Sequence, residues 1–210
     1  SFKKLGDDGL LALVGDSTNA DVPGFSGSES EVRAELIKVF SRYRQRIVIT
    51  CFSSNIARME SVVIAAKKNN RKVALVGRSM KKTIQAAIDN NIIADKSDFI
   101  SEEEASFIPK ENLVVICTGS QGEKKSALSR IAYNSHKYIH MEKDDLVIFS
   151  SRDIPGNEKS INNLKNLLMR QKVEIITTDD DLVHVSGHGY AEEIKKMYEW
   201  TRPYISLPVH

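Results

Sequence analysis

What constrains this chain most is an alternation. Short runs rich in Val, Ile and Leu are each followed by a polar turn and then by helical periodicity. LLALVG (10–15), RIVITCF (46–52), KVALVG (72–77), LVVICTG (113–119), DLVIFSS (145–151) and VEIIT (173–177) read as strands, with LVHV and YISLPV following towards the end. SESEVRAELIKVFSRY (28–43) reads as a helix: Val32, Leu36, Val39 and Phe40 share a face, and Ser28 with Glu31 matches a capping box. Another helix runs to about Asn69 with Ile56, Met59, Val63 and Ala66 inward, and others cover 80–90, about 124–134, and about 190–200. EKSINNLKNLLMRQ (158–171) is helical too, with Ile161, Leu164, Leu167 and Leu168 on one side.

Strand and helix alternating at this spacing predict βαβ units and a mostly parallel sheet. Right-handed crossovers then place helices on both faces. The strands are continuous apolar runs, as expected for a sheet covered on both sides. The expected fold class is therefore α/β. The stretch from Asp95 to Pro109 is the most irregular, and no internal repeat or low-complexity tract is present.

Charge narrows little. Among 210 residues, 30 Lys and Arg against 28 Asp and Glu leave a net charge of +2. A polyanion site must therefore come from local placement, not from a basic field. Two cysteines exclude a disulfide scaffold. Cys51 and Cys117 lie in apolar runs and read as small buried hydrophobes. No apolar run approaches the roughly 20 residues of a membrane span, and the opening SFKKLGDD lacks the apolar stretch of a signal peptide. Neither a membrane partner nor a leader is expected.

The strand ends carry the chemistry. They read Gly15-Asp16-Ser17-Thr18-Asn19, Ser53-Ser54-Asn55, Gly77-Arg78-Ser79, Thr118-Gly119-Ser120-Gln121-Gly122 and Ser150-Ser151-Arg152. In a parallel sheet such ends share one edge, where open α/β folds bind ligands and helix N-termini favour anions. Hydroxyls, backbone N–H groups and an Arg gathered there suit phosphate. The same residues are also ordinary turn and capping residues. Neither a P-loop nor a G-x-G-x-x-G fingerprint occurs, since Gly119 and Gly122 form only G-x-x-G.

Near the C-terminus, VHVSGHGY sets His184 and His188 around Ser186 and Gly187. With Gly187 and Gly189 excluding a helix, this reads as a strand-to-helix turn whose imidazoles could converge on an anion. A histidine satisfying local backbone groups is the competing reading. His210 follows Leu207-Pro208-Val209 and could ligate a metal with partners elsewhere, or be an exposed terminal residue. His136 and His140 have the i,i+4 spacing of a zinc helix but run into a strand and lack a third ligand. Asp16 could cap a turn, or join His188 and His210 around a metal-bound water.

VGDSTNADVPGFSGSE, TCFSSNIAR, NRKVALVGRSM, VVICTGSQGE with SALSRIA, VIFSSRDIPGNEKSIN, VHVSGHGYAEEIK and the closing LPVH occur in one order along the chain. This series resembles the β-CASP branch of the metallo-β-lactamase superfamily, and within it the ribonuclease J family. The resemblance implies a β-CASP domain over 21–185, a tail of the lactamase-like half over 1–20, and a return to that half over 186–210. It implies that Asp16 is the acidic residue of the first β-CASP motif and His188 the second-motif histidine, set against the scissile phosphate. His210 would be the third-motif histidine, a zinc ligand. Ser186 and Gly187, with His184 nearby, would help hold an RNA phosphate, and Ser54, Arg78 and Ser120 would be further RNA contacts on strand-end loops.

The main metal motif of that family, H-x-H-x-D-H, is absent from these residues. The resemblance makes the chain a fragment of a cytoplasmic, two-zinc ribonuclease acting as 5′-to-3′ exonuclease and endonuclease. Its partner would be single-stranded RNA with a 5′-monophosphate, and the longer enzyme would be a homo-oligomer. The fragment alone would bind no zinc and be inactive. Two rivals remain at this point: a non-catalytic α/β module holding a small phosphorylated ligand or nucleotide at its strand edge, and an edge that serves dimer or complex contacts.

Overall fold

The computed structural model describes residues 1–92 and 98–210. In chain order the elements are α1 (Phe2–Asp8), β1 (Ala12–Asp16), α2 (Glu29–Arg42), β2 (Ile47–Thr50), α3 (Ile56–Lys68), β3 (Lys72–Val76), α4 (Arg78–Asp89) and β4 (Phe99–Ile100). They continue with α5 (Glu102–Ala105), β5 (Leu113–Cys117), α6 (Ala127–Ala132), β6 (Leu146–Phe149), α7 (Glu158–Arg170), β7 (Glu174–Ile176), α8 (Ala191–Thr201) and β8 (Ile205–Val209). They group into two compact units: Glu29–His184, and Ser1–Ser28 together with Val185–His210.

The larger unit is a six-stranded sheet in the order β4-β3-β5-β2-β6-β7, with every described pair parallel. β2, β5 and β6 are buried along their whole length, and apart from Thr50 their side chains are apolar on both faces. One face carries Val48, Val115, Val147 and Phe149 against Leu128 and Ile131 of α6 and Ile161, Leu164 and Leu168 of α7. The expected inward faces of two amphipathic helices are found: Val32, Leu36, Val39 and Phe40 on α2, and Ile161, Leu164 and Leu168 on α7, are buried, with Leu167 half-buried beside them. The α/β class with a mostly parallel sheet is thus what the alternation predicts.

From β2 the chain crosses through α3 to β3 on one side; from neighbouring β5 it crosses through α6 to β6 on the other. Connections leave neighbouring β2 and β5 in opposite directions, so the gap between their C-terminal ends is a switch point of the sheet, the kind of position where open α/β folds take ligands.

The smaller unit pairs β1 with β8 in parallel, Ala12 opposite Ile205 through Asp16 opposite Val209. Helix α1 packs on α8 so closely that a Cβ on Gly6 would lie 2.2 Å from the Trp200 carbonyl oxygen, which is why a glycine stands inside that helix.

Several expectations change. The first strand starts at Ala12 and lies in the two-stranded sheet, so the five strand ends do not share one sheet edge: four do, and Gly15–Asn19 follows a strand of the other sheet. LVHV forms no strand. Its Val183 carbonyl is taken up by side chains, Arg58 at 3.0 Å and Ser150 at 2.7 Å, instead of by a neighbouring strand. Helix α1, unforeseen, buries no residue and so left no apolar stripe to read. Part of the irregular stretch falls on 93–97, outside the described residues; the rest contains β4 and α5, the latter opened by a Ser101–Glu104 capping box. Among the described residues no helix is long and apolar enough to cross a membrane.

Candidate functional site

In the smaller unit, Asp16 ends β1 and the backbone turns at once. Its Oδ1 accepts from the Thr18 hydroxyl at 2.6 Å and the Thr18 backbone N–H at 3.1 Å. Its Oδ2 lies 2.6 Å from Nδ1 of His188. These bonds hold the carboxyl well below its usual range, at about 2, with the Thr18 hydroxyl contributing most and His188 next. An ionised Asp16 can only accept, so Nδ1 of His188 carries the hydrogen and Nε2 is the ring nitrogen left for another atom.

The loop bearing His188 is set from three directions. Ser186 Oγ accepts from the His188 N–H at 3.1 Å and from Asn19 Nδ2 at 2.9 Å. The same Asn19 amide donates to the His188 carbonyl at 3.2 Å. Glu193, one turn into α8, accepts from the Tyr190 N–H at 2.8 Å and from Ser26. The β1–β8 pairing brings the last residue alongside: Ser17 Oγ donates to the Val209 carbonyl at 2.9 Å, and the His210 ring lies 6.2 Å from the His188 ring, centroid to centroid. Gly187 has open space where a Cβ would be.

The structure thus gathers Asp16, Ser186, Gly187, His188 and His210. It places His184 in the larger unit, with Nδ1 3.4 Å from the buried Arg58 guanidinium. Burial first, and Arg58 second, push that imidazole down to about 4, so it is neutral at pH 7 and offers a phosphate no positive charge.

The remaining candidates sit on the larger unit. Ser120 is buried and lines a cavity of about 280 Å³ at the switch point, together with Ser53, Ser79, Thr118, Gly119 and Ser126. Ser54 is exposed one residue beyond Ser53 and does not line that cavity. Arg78, at the start of α4, lines a wider neighbouring groove. Gly122 is fixed by its surroundings: φ is +71°, and a Cβ would meet the Ser160 backbone at 2.5 Å. His136 serves local structure: Nδ1 accepts from two backbone N–H groups and Nε2 lies 3.3 Å from Glu102. The thiols of Cys51 and Cys117 are buried, as expected.

Sequence reasoning named Thr18 and Asn19 only as strand-end residues, with no role of their own, and missed Arg58. Thr18 bonds Asp16 only two positions away, as any turn residue could, whereas the partners of Asn19 lie far off in the chain. Arg58 left a signal, a lone cation among the inward positions of α3. It is fully buried, bonds both Glu29 oxygens at 2.8 and 3.0 Å, and reaches Ser150 Oγ at 2.6 Å.

The family model for the ribonuclease J β-CASP domain matches residues 44–168. The chain belongs to the ribonuclease J β-CASP family. It is 45% identical over 209 residues to a ribonuclease J of Sinorhizobium meliloti, a match covering 100% of this chain and 37% of that protein. It is 40% identical to ribonuclease J 1 of Streptococcus pyogenes, over 98% of this chain and 37% of the relative. Against ribonuclease J2 of Bacillus subtilis the identity is 38%, over 99% and 37% respectively. The chain therefore spans little more than a third of the length of these members of the family.

Proposed function

We propose that this chain is the RNA-binding part of a cytoplasmic, zinc-dependent ribonuclease J-like enzyme that hydrolyses phosphodiester bonds as 5′-to-3′ exonuclease and endonuclease. In this reading 21–185 is the β-CASP domain, and 1–20 and 186–210 are pieces of a lactamase-like half. The exposed Val14, Ile205, Leu207 and Val209 of the two-stranded sheet support the second point, since so small a sheet does not stabilise itself. The substrate is single-stranded RNA with a 5′-monophosphate, and the longer enzyme is a homo-oligomer.

The observation that carries the proposal is the Asp16–His188 pair with His210 beside it. Asp16 fixes the tautomer, so His188 presents Nε2 to a phosphate or leaving oxygen and can hold or pass a proton there. Ser186 and Gly187 shape the turn that aims it, and Ser54, Arg78 and Ser120 hold RNA phosphates along the sheet edge. His210 is offered as a single zinc ligand. Zinc sites need about four donors each, and among the described residues no three His, Cys, Asp or Glu side chains gather as a metal site. The residues of this chain thus do not make a two-zinc centre by themselves, and no step is derived through one.

His188→Ala in the longer enzyme should lower kcat by about 10²–10⁴ with little change in RNA affinity. A near-normal rate removes His188 from the mechanism. The chain alone should bind 5′-monophosphorylated oligoribonucleotide without cleaving it, and more tightly than a mononucleotide. Equal binding of the mononucleotide favours a small-ligand module instead.

A further inference from the structure

A groove of about 890 Å³ opens beside the switch point, at the C-terminal ends of β3 and β5, and shares Ser79 and Thr118 with the smaller cavity there. One wall is α4, with Arg78, Lys81 and Lys82; the other is the turn before α6 and its first residues, with Lys124, Lys125 and Arg130. Among the described residues six cations thus face one carboxylate, Glu102, in a chain whose whole net charge is +2. Lys81 pairs with Glu102; the other five have no carboxylate partner among the described residues.

The helix spacing accounts for the α4 wall. Met80, Ile84 and Ala87 are buried, and Arg78, Lys81 and Lys82 fall on the opposite, exposed side at i, i+3 and i+4. Like charges at that spacing repel, so the arrangement costs stability unless an anion occupies the groove. Among the described residues no aromatic side chain lines it, so none of them stacks a base there. The lining instead offers long cationic arms, with the hydroxyls of Ser79 and Thr118. That chemistry recognises a run of phosphates and not the bases they carry.

We propose that this groove is a second RNA subsite, a sequence-independent grip on the phosphodiester backbone made by Lys82, Lys124, Lys125 and Arg130 with Arg78, separate from the Asp16–His188 pair. The inference rests on the RNA-binding reading above and extends it from Arg78, which that reading already uses, to Lys82, Lys124, Lys125 and Arg130, which it leaves idle. It makes affinity depend on salt with a slope set by these side chains.

The test is fluorescence anisotropy with 3′-labelled, 5′-monophosphorylated U20 across a salt series, for the chain and for a Lys82→Gln, Lys124→Gln, Lys125→Gln variant. All three lysines are exposed. At roughly 0.7 per phosphate contact for single strands, the variant should lose about 2 from the log–log salt slope, and at 0.1 M salt about a hundredfold in affinity. The corresponding triple Lys→Arg variant should keep the slope, which separates charge from any folding defect. Tight U20 binding with an unchanged slope in the Gln variant overturns the groove and leaves the RNA reading standing. Inorganic polyphosphate bound through these lysines, with no binding of U20, overturns the RNA assignment. Binding of neither overturns both.

Discussion

Arg58→Met removes the charge that ties three parts of the larger unit together. The guanidinium is fully buried and donates to Glu29 Oε1 (2.8 Å) and Oε2 (3.0 Å), to the Ser150 carbonyl (3.1 Å) and hydroxyl (2.6 Å), and to the Val183 carbonyl (3.0 Å). Met matches the apolar stem but leaves Glu29 without its partner and strips a donor from two carbonyl oxygens. Breaking one side of such a buried pair costs about 3–5 kcal/mol. For a chain of this size each kcal/mol is worth roughly 2–4 °C, so the melting temperature should fall by about 6–20 °C. Thermal and urea unfolding of the two proteins measure it. Adding Glu29→Gln should return part of the loss, because the stranded carboxylate is then gone. Hydrogen exchange should also speed up around Val183, whose carbonyl would keep only Ser150. A loss below about 1 kcal/mol would mean that the network is not a tie.

Asp16 gives a pH signature. Its carboxyl is held at about 2 against an ordinary 3.8, so the stabilisation from its charged form is complete above 3.8 and is lost as the pH falls through 2. A carboxyl titration followed by NMR should show the low midpoint, and Thr18→Val should raise it; a midpoint near 3.8 in the unaltered chain would remove the Thr18 and His188 bonds from solution. The thiols give a second check. Burial pushes Cys51 up to about 12 and raises Cys117 further above its ordinary value. At pH 8 the Cys51 thiolate is then about one part in ten thousand. Iodoacetamide should label neither cysteine in the folded chain and both after denaturation, and prompt labelling of the folded chain would contradict the burial.

The two candidate regions differ in how far the sequence reveals them. Alternation of strand and helix forces the ends of β2, β3, β5 and β6 onto one edge, so Ser53, Arg78, Ser120 and Ser150 could be grouped without knowing the strand order. The order itself left no local trace: β5 inserts between β3 and β2 by packing preference, not by spacing. Asp16 and His188 lie 172 positions apart, and their meeting depends on β1 pairing with β8 and on Asn19 bridging to the Ser186 turn. No periodicity carries that information: the residue types allowed Asp16 to join His188 as one of two readings, and only the family's motif order chose between them. LVHV failed as a strand for a related reason. Its pattern is right, but the sheet offers it no neighbour, and Arg58 and Ser150 satisfy Val183 instead. The lysines of the groove were present in the sequence but, beside so many acidic residues, did not stand out until folding separated the two signs.

That separation is itself testable. Elsewhere on the larger unit cations sit on carboxylates: Arg42 on Asp181 at 2.6 Å, Lys38 on Glu35 at 2.8 Å, Arg33 on Glu60 at 3.3 Å. Among the described residues around the groove, only Lys81 does so. If the unpaired cations are kept for a ligand, they cost stability in its absence, and relieving them should strengthen the fold while weakening RNA binding. Lys82→Glu places a carboxylate four residues after Arg78 on the exposed side of α4, turning a repulsive i,i+4 pair into an attractive one. Each such pair is worth about 0.2–0.5 kcal/mol, so the change of sign should raise stability by about 0.4–1 kcal/mol at low salt. Screening shortens the reach of these charges to about 3 Å at 1 M salt, and most of the gain should vanish there. Urea unfolding of the chain and the variant at 20 mM and 1 M salt reads both effects. A variant that is less stable at low salt, or whose gain survives high salt, would show that Arg78 and Lys82 do not repel each other across the helix, and that their placement needs no ligand to explain it.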